Sequence, residues 1–257
     1  MNRDSQAFLK LLGIMNDLRE KCPWDRKQTL QSLRPLTLEE SYELVDEIIL
    51  ENAEGIKEEL GDLLLHIVFY SKIMEESNRF GIAEVIESLC DKLIRRHPHI
   101  YGDLKISDAE EVKQNWEKLK LKEGKKGLLE GVPNSLPSLL KAYRMQDKAR
   151  QVGFEWPSTE GVMEKMKEEL EELNTAITSK KLEDIEEEYG DVLFSWINFG
   201  RYLGLDPDLA LEKVNRKFKS RFEYMEAQAN VPLSQMSLNE MEELWVLAKQ
   251  ALGKADK

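Results

Sequence analysis

Four acidic residues recur with the same spacing in each half of this 257-residue chain, and this repeat constrains the fold more than any other feature. Each set reads Glu-x-x-Glu followed by Glu-x-x-Asp, and the second pair begins 19 residues after the first. Every member of the second set lies 129 residues beyond its counterpart: Glu40, Glu43, Glu59 and Asp62, then Glu169, Glu172, Glu188 and Asp191. Residues three apart share one face of a helix, so each pair projects two carboxylates in one direction. Two such helices turned toward each other gather four negative charges in one place.

Carboxylates gathered in this way repel one another, and the arrangement is stable only when a cation lies among them. Ligands that are all carboxylate oxygens suit Mg²⁺ or Mn²⁺ and not Zn²⁺. We therefore expect a duplicated magnesium-type site whose ligands are these eight acids. A di-iron carboxylate bundle is the main alternative, but it requires Glu-x-x-His on two helices. That motif does not occur in the sequence, which argues against iron.

A glutamate-rich helix is most often a solvated surface, and the repeated spacing argues against that interpretation here. Asp62 and Asp191 each open an apolar run, where a carboxylate loses solvation and needs a compensating partner. Gly61 and Gly190 precede these two residues in both copies. A glycine inside a helix costs about 1 kcal/mol relative to alanine. Its repetition predicts a close approach between helices at this position.

Apolar residues recur with the period of an α-helix along almost the whole chain, and convincing strand patterns are absent. Thr37, with Glu40 three residues later, has the form of a capping box, which predicts a helix that starts at Leu38. The sequence therefore predicts an all-α protein.

Glycine, proline and lysine concentrate in the middle of the chain, which predicts a linker at residues 125–137. The N-terminal helical domain then covers residues 1–124 and the C-terminal helical domain covers residues 138–257. A repeat of this size cannot easily bury both faces of its helices alone. We expect two tandem helical-bundle repeats that pack on each other within or between chains, as in an interlocked homodimer.

The composition excludes several classes of protein. A net charge of −12 argues against binding a nucleic-acid polymer through a broad basic surface. Two cysteines cannot form a disulfide framework, so a reducing cytoplasm is the simplest location. Apolar stretches such as Leu63–Tyr70 are too short to cross a bilayer. We expect a cytoplasmic protein with neither a membrane nor a nucleic-acid polymer as partner.

Basic and aromatic residues come after the acids in each half and can complete a phosphate site. A phosphate chain bound through magnesium needs cationic side chains on its far side. Such residues lie on the next predicted helix of each half: Lys92, Arg95 and Arg96, then Lys213, Lys217 and Arg221. Trp116 with Lys120 matches Trp245 with Lys249, and the tryptophans can stack on a nucleobase. Helix-surface charge and core packing of the tryptophans are the alternatives.

Longer segments around these residues resemble the MazG proteins. The similar segments are Cys22–Asp25, Ser32–Pro35, Leu38–Glu43, Glu58–Leu65, Lys92–His99 and Asn215–Phe222. The similarity covers nearly the whole chain, including its tandem arrangement. The resemblance implies an all-α nucleoside triphosphate pyrophosphohydrolase, related to the all-α dUTPases and usually dimeric. Such enzymes convert an NTP to NMP and pyrophosphate with Mg²⁺.

The resemblance also implies roles for individual residues. It places the metal ligands on the eight acids, phosphate binding on Lys217 and Arg221, and contact with the base on Trp245. The first half departs from this pattern, because Arg96 aligns with Lys217 and Pro98 interrupts the helical pattern two residues later. Duplication of the acids therefore does not guarantee two working sites.

The expected reaction is attack of a metal-activated water on the α-phosphorus, with pyrophosphate as the leaving group. Glu39 or Glu43 is a candidate to orient or deprotonate that water. Lysine and arginine neutralise charge on the β- and γ-phosphates. A non-catalytic module that senses a nucleotide such as an alarmone, and a purely structural helical scaffold, are the alternative functions.

Overall fold

The computed structural model of the protein describes residues 2–104, 108, 111–112, 116, 119 and 127–253. Within these ranges the regular structure is entirely helical, which confirms the all-α prediction. The chain divides into two compact units, residues 1–107 and 108–257.

The first unit contains α1 (Arg3–Lys21), α2 (Leu30–Ile49), α3 (Ala53–Glu76), α4 (Ile82–Arg96) and the short α5 (Pro98–Tyr101). The second contains α6 (Ser138–Gln151), α7 (Thr159–Ser179), α8 (Leu182–Tyr202), α9 (Pro207–Gln228) and α10 (Leu238–Leu252). Short 3₁₀ turns lie at Asp25–Lys27, Leu128–Gly131 and Leu233–Gln235.

In the N-terminal unit, α2 and α3 form a helical hairpin, because only residues 50–52 connect them. Both α1 and α4 pack on α3. The buried core consists of Met15 from α1, Leu33 from α2, and Val68 and Phe69 from α3. This packing holds the second half of α2 beside the first half of α3, where the acids lie.

The C-terminal unit repeats the hairpin with α7 and α8, which form its most extensive helix contact. Lys180 ends α7 in the left-handed conformation with φ of 61°, and α8 begins two residues later. Helix α6 packs on α8, α9 packs on α6 and α8, and α10 packs on α9. The second carboxylate quartet therefore lies on a hairpin like that of the first.

The predicted start of α2 at Leu38 is wrong. The helix begins at Leu30, where Thr29 and Ser32 form a reciprocal capping box between side chains and backbone. Thr37 lies inside the helix, and its hydroxyl donates to the Leu33 carbonyl oxygen at 3.1 Å. A threonine hydroxyl makes this bond within a helix as readily as it caps one, so the local pattern was ambiguous.

The predicted close helix approach at Gly61 and Gly190 is also wrong. A Cβ atom added at either glycine would meet no other atom of the described structure within 4 Å. Both glycines lie on an open helix face, so steric crowding does not require them.

In the middle of the chain, the boundary between the two compact units does not coincide with the linker predicted from composition. Leu128–Gly131 packs on α6 and belongs to the C-terminal unit, whereas most of residues 105–126 lie outside the described ranges. The domain bounds of 1–124 and 138–257 stay a prediction. In the described part of the chain, none of the helices has the length and apolar character that crossing a bilayer requires.

Candidate metal centre

The first quartet brings three carboxylates to ligand distance. Glu40 and Glu43 lie on α2 and Glu59 on α3, and one oxygen of each lies within 4.8 Å of the others. The spacing of three residues turns both α2 acids toward α3, and the short connection sets α3 beside them. Glu40 and Glu59 are half-buried, whereas Glu43 is exposed.

The negative charge of this cluster is poorly compensated. Desolvation raises the pKa of Glu40, and repulsion from Asp62, Glu43 and Glu39 raises it further. Desolvation likewise raises the pKa of Glu59, with repulsion from Glu43 and Glu40 adding to it. Oxygen Oε2 of Glu59 is buried and has no hydrogen-bond partner among the described atoms. Among the described protein groups, these acids have no partner that compensates their negative charge, and a bound cation would be such a partner.

The second quartet has the same arrangement on the other hairpin. Glu169 and Glu172 lie on α7 and Glu188 on α8, and one oxygen of each again lies within 4.8 Å of the others. Glu169 is buried, with 6% of its surface exposed. Desolvation raises the pKa of Glu188, and repulsion from Glu172, Asp191 and Glu169 raises it further.

Lys165 is a residue of this site that the sequence analysis missed. Its Nζ lies 2.7 Å from a carboxylate oxygen of Glu169 and 2.9 Å from one of Glu168. Hydrogen bonds to these two acids raise the pKa of Lys165. The spacing of four residues between Lys165 and Glu169 is a signal that could have identified the pair. Leu36 stands at the corresponding position of the first half, so the two clusters differ in compensating charge.

The aspartates and Glu39 lie beside the clusters and are not members of the two close groups. Asp62 is near enough to raise the pKa of Glu40 and Glu59, and Asp191 raises that of Glu188. Glu39 is exposed on α2. The ligand roles of Asp62 and Asp191, and the water-orienting role of Glu39, stay predictions.

The residues present fit a divalent cation that prefers oxygen ligands. Each cluster offers carboxylate oxygens from two helices at mutual distances that one ion can span. The buried, unpartnered Oε2 of Glu59 and the raised pKa values indicate that the described protein groups alone do not satisfy the acids. In the second cluster, Lys165 supplies part of the compensation through its ion pair with Glu169.

The basic residues of the first half lie on α4, which packs against α3. Lys92 and Arg95 are exposed, and Arg96 is half-buried at the end of the helix, before the break at Pro98. Trp116 is helical and half-buried, whereas Lys120 lies outside the described residues. The contact of these residues with substrate stays a prediction.

The structure brings two of the predicted residues of the second half together on α9 and α10. The guanidinium carbon of Arg221 lies 5.7 Å from the ring centroid of Trp245, a cation–π contact. Trp245 also packs on Phe218, with 5.4 Å between ring centroids, and is half-buried. Lys213 and Lys217 are exposed on α9. Their role in phosphate binding, like that of Trp245 in base contact, stays a prediction.

A cavity of about 510 Å³ adjoins the second cluster. Glu169 and Asp191 lie in its wall, together with the aromatic rings of Phe154, Trp156 and Phe194. Cavities of this size commonly hold small organic molecules or cofactors. The second cluster therefore has room beside it for the organic part of a ligand.

Comparison with known proteins agrees with this geometry. The MazG nucleotide pyrophosphohydrolase domain matches the chain twice, at residues 28–101 and 158–225, and each match contains one complete quartet. The nucleoside triphosphate pyrophosphohydrolase/pyrophosphatase MazG of Thermotoga maritima is 46% identical over 250 residues, which cover 94% of this chain and 95% of the relative.

Two further relatives extend the comparison. The nucleoside triphosphate pyrophosphohydrolase of Escherichia coli K12 is 37% identical over 94% of this chain and 96% of its own length. The uncharacterized protein YabN of Bacillus subtilis is 39% identical over 95% of this chain, which spans 52% of that relative. These matches confirm the resemblance inferred from the motifs. The chain belongs to the MazG nucleotide pyrophosphohydrolase family and carries the domain of that family twice.

Proposed function

We propose that this protein is a nucleoside triphosphate pyrophosphohydrolase, which converts an NTP and water to NMP and pyrophosphate. The observation that carries the proposal is the three-carboxylate cluster found in both copies of the family domain, on two helices and within 4.8 Å. The names of the Thermotoga maritima and Escherichia coli relatives support the same reaction.

Mg²⁺, with Mn²⁺ as a substitute, is the cofactor that we propose for this site. Its ligands are the two quartets: Glu40, Glu43, Glu59 and Asp62, then Glu169, Glu172, Glu188 and Asp191. A divalent ion held there supplies Lewis-acid charge to the phosphate oxygens and to the attacking water. Hard oxygen ligands and the poorly compensated negative charge support magnesium over zinc.

The remaining side chains act either on the attacking water or on the leaving group. Glu39 or Glu43 orients the water or accepts its proton as the water oxygen bonds to the α-phosphorus. The bond between that phosphorus and the bridging oxygen to the β-phosphorus then breaks, and pyrophosphate leaves with the bridging oxygen. Lys217 and Arg221 offset the negative charge of the β- and γ-phosphates. Lys165 is well placed to do the same beside Glu169.

We further propose that the protein is a homodimer. Several large apolar side chains of α2 are about half exposed, among them Leu38 (57%), Tyr42 (59%) and Val45 (46%). Contiguous apolar surface of this kind marks protein interfaces more often than it faces water. Sedimentation equilibrium that gives the mass of one chain, 29.9 kDa, at micromolar concentration would contradict the dimer. The two free cysteines support the cytoplasm as the location.

Product analysis tests the proposed reaction directly. The protein is incubated with each common NTP in the presence of Mg²⁺ and, separately, of EDTA, and the products are separated by ion-exchange chromatography. We expect NMP and pyrophosphate with Mg²⁺ and no turnover with EDTA. NDP with orthophosphate would contradict the proposal, and Mg²⁺-dependent binding without products would indicate the sensing module instead.

A further inference from the structure

His66 is a buried histidine of α3 that the proposed reaction does not use. Only 6% of the residue is exposed, and its Nδ1 has no hydrogen-bond partner among the described atoms. A neutral imidazole carries one nitrogen with a free lone pair, which can accept a hydrogen bond or bind a metal ion. Because a buried polar atom without a partner costs free energy, this nitrogen needs an explanation.

The imidazole lies one helical turn from the first carboxylate cluster. Asp62 comes four residues before His66, and helix side chains at this spacing share a face and lean toward the helix N-terminus. Desolvation lowers the pKa of His66, and the carboxylate of Asp62 is close enough to oppose that change. Desolvation raises the pKa of Glu40, and repulsion from Asp62 adds to that rise. Asp62 is therefore a common neighbour of the imidazole and of the clustered acids.

Tyr70 closes the other side of the imidazole. The centroids of the two rings are 6.3 Å apart, in an edge-on arrangement. The hydroxyl of Tyr70 lies 2.6 Å from the hydroxyl of Thr37, which ties the tyrosine to α2 across the hairpin. The carboxylate cluster is therefore the side from which a ligand can reach His66.

The C-terminal unit has no nitrogen ligand at the equivalent position. Ser195 stands 129 residues after His66, and its hydroxyl donates to the carbonyl oxygen of Val192 at 2.9 Å. No histidine occurs in the sequence after His99. The second unit therefore surrounds a cation with oxygen ligands from its own acids, whereas the first unit also has an imidazole beside the acids.

We propose that His66 is a further metal ligand of the N-terminal cluster, and that this cluster binds a transition cation such as Mn²⁺ or Fe²⁺ in preference to Mg²⁺. The proposal rests on the proposed function for the metal site itself, whose ligands include Glu40, Glu59 and Asp62. Imidazole nitrogen is a ligand for transition cations, whereas Mg²⁺ binds almost entirely to oxygen. The all-oxygen C-terminal cluster keeps the preference for Mg²⁺, so the two copies of the repeat hold different cations.

Pulsed EPR of bound Mn²⁺ tests this proposal, because nitrogen-14 modulation reports an imidazole on the ion. The full-length protein carries Glu188→Gln, which removes a carboxylate of the second cluster. Spectra are recorded for this protein alone and with His66→Gln, His97→Gln or His99→Gln added. The chain has three histidines, so the three substitutions cover every imidazole and the last two are matched controls. Titration calorimetry gives the Kd for Mn²⁺ and for Mg²⁺, and circular dichroism verifies folding.

We expect nitrogen modulation in the Glu188→Gln protein and its loss only with His66→Gln. The same substitution should raise the Kd for Mn²⁺ by about tenfold or more and leave the Kd for Mg²⁺ within about twofold. Bound Mn²⁺ without nitrogen modulation, or modulation that survives His66→Gln, would overturn the proposal. An equal rise in both Kd values would also overturn it, because that result reports damage to the carboxylates.

The two control substitutions decide the outcome if His66→Gln does not fold. Modulation that persists in both His97→Gln and His99→Gln assigns the nitrogen to His66, and its loss in either overturns the proposal. None of these measurements involves a nucleotide, so they separate this proposal from the proposed reaction. Nitrogen-ligated Mn²⁺ in a protein without NTP turnover contradicts the reaction alone. Turnover with Mg²⁺ in a protein whose bound Mn²⁺ has no nitrogen ligand contradicts only the role of His66.

Discussion

Arg201 anchors the segment that carries the aromatic rings of the cavity. Its Nη2 donates to Oε2 of Glu155 at 2.5 Å and to Oδ1 of Asn198 at 2.7 Å. Only 5% of the Arg201 side chain and 20% of the Glu155 side chain are exposed. Because Glu155 lies between Phe154 and Trp156, this ion pair ties both rings to α8. A buried charge that loses its partner is strongly destabilising, unlike an exposed one.

We therefore predict that Glu155→Gln lowers the free energy of unfolding by about 2–3 kcal/mol, as measured by urea denaturation. Glu54→Gln is the control, because its ion pair with Lys57 is exposed, and we expect a change of about 0.5 kcal/mol or less. Equal effects of the two substitutions would show that the Arg201 pair does not hold the cavity wall.

Arg19 has an anchoring role in the N-terminal unit that depends on pH. Its Nε donates to Glu76 at 2.9 Å, and its Nη1 donates to the carbonyl oxygen of Asp25 at 2.6 Å. The hydrogen bond from Arg19 lowers the pKa of Glu76 below its ordinary value of 4.5. A carboxylate whose pKa is lowered by folding stabilises the protein above its unfolded pKa, and this stabilisation is lost as the pH falls through the folded pKa.

The predicted effect of Glu76→Gln follows from this lowered pKa. At pH 7 the substitution should lower the free energy of unfolding by about 0.5–1 kcal/mol, since the pair is partly exposed. The difference from the wild type should shrink as the pH falls below about 4.3, where the carboxyl group of the unfolded chain becomes protonated. Urea titrations of both proteins at several pH values measure this difference in the free energy of unfolding. A difference that is constant with pH would contradict the assignment.

Helix α2 shows that a local sequence pattern can predict a helix correctly and still misplace its first residue. The apolar period and the acids at Glu40 and Glu43 identified the helix, but Thr37 resembled its start as well as Thr29 does. Choosing between them needs tertiary information, because the Thr37 hydroxyl also lies 2.6 Å from the Tyr70 hydroxyl on α3. Pro35 lies within this helix, although proline is tolerated best in the first turn of a helix.

The capping box at Thr29 makes a prediction at the scale of this helix. Thr29→Ala should lower the free energy of unfolding by about 1 kcal/mol, because the Ser32 backbone N–H loses its acceptor. Thr175→Ala is the control, since that hydroxyl only donates to a carbonyl oxygen within the exposed part of α7. Thermal unfolding of the two variants gives the comparison. A larger loss for the control would mean that Thr29 does not cap the helix.

At the scale of the whole molecule, the repeat predicted the duplicated helical hairpin and the acids that face each other on it. Residues three apart on a helix and a constant separation between pairs are local properties that a sequence displays directly. The cavity could not be predicted in this way. Its wall combines Leu129, Met145, Trp156 and Ser195, which come from separate segments and share no period. Packing alone decides that the equivalent position holds a core histidine in one unit and borders a cavity in the other.

The two halves of the molecule differ in what surrounds their carboxylate clusters. Both units keep the carboxylate cluster, and in the C-terminal unit Lys165 and a cavity adjoin it, whereas Leu36 stands at the position of Lys165 in the N-terminal unit. The larger share of NTP turnover should therefore depend on the second quartet. Glu59 and Glu188 are equivalent in the repeat, which makes them a matched pair for testing this dependence.

The central claim is that NTP turnover depends mainly on the second quartet. The most direct test is the rate of pyrophosphate release from NTP with Mg²⁺. This rate is measured in the wild type, in Glu188→Gln and Glu59→Gln, and in the control Glu186→Gln. Glu186 is exposed on α8 and lies outside both clusters, so its substitution should leave the rate unchanged. We predict a loss of about 100-fold or more in kcat/KM for Glu188→Gln and a clearly smaller loss for Glu59→Gln. Wild-type activity in Glu188→Gln, or a greater loss in Glu59→Gln, would contradict the account.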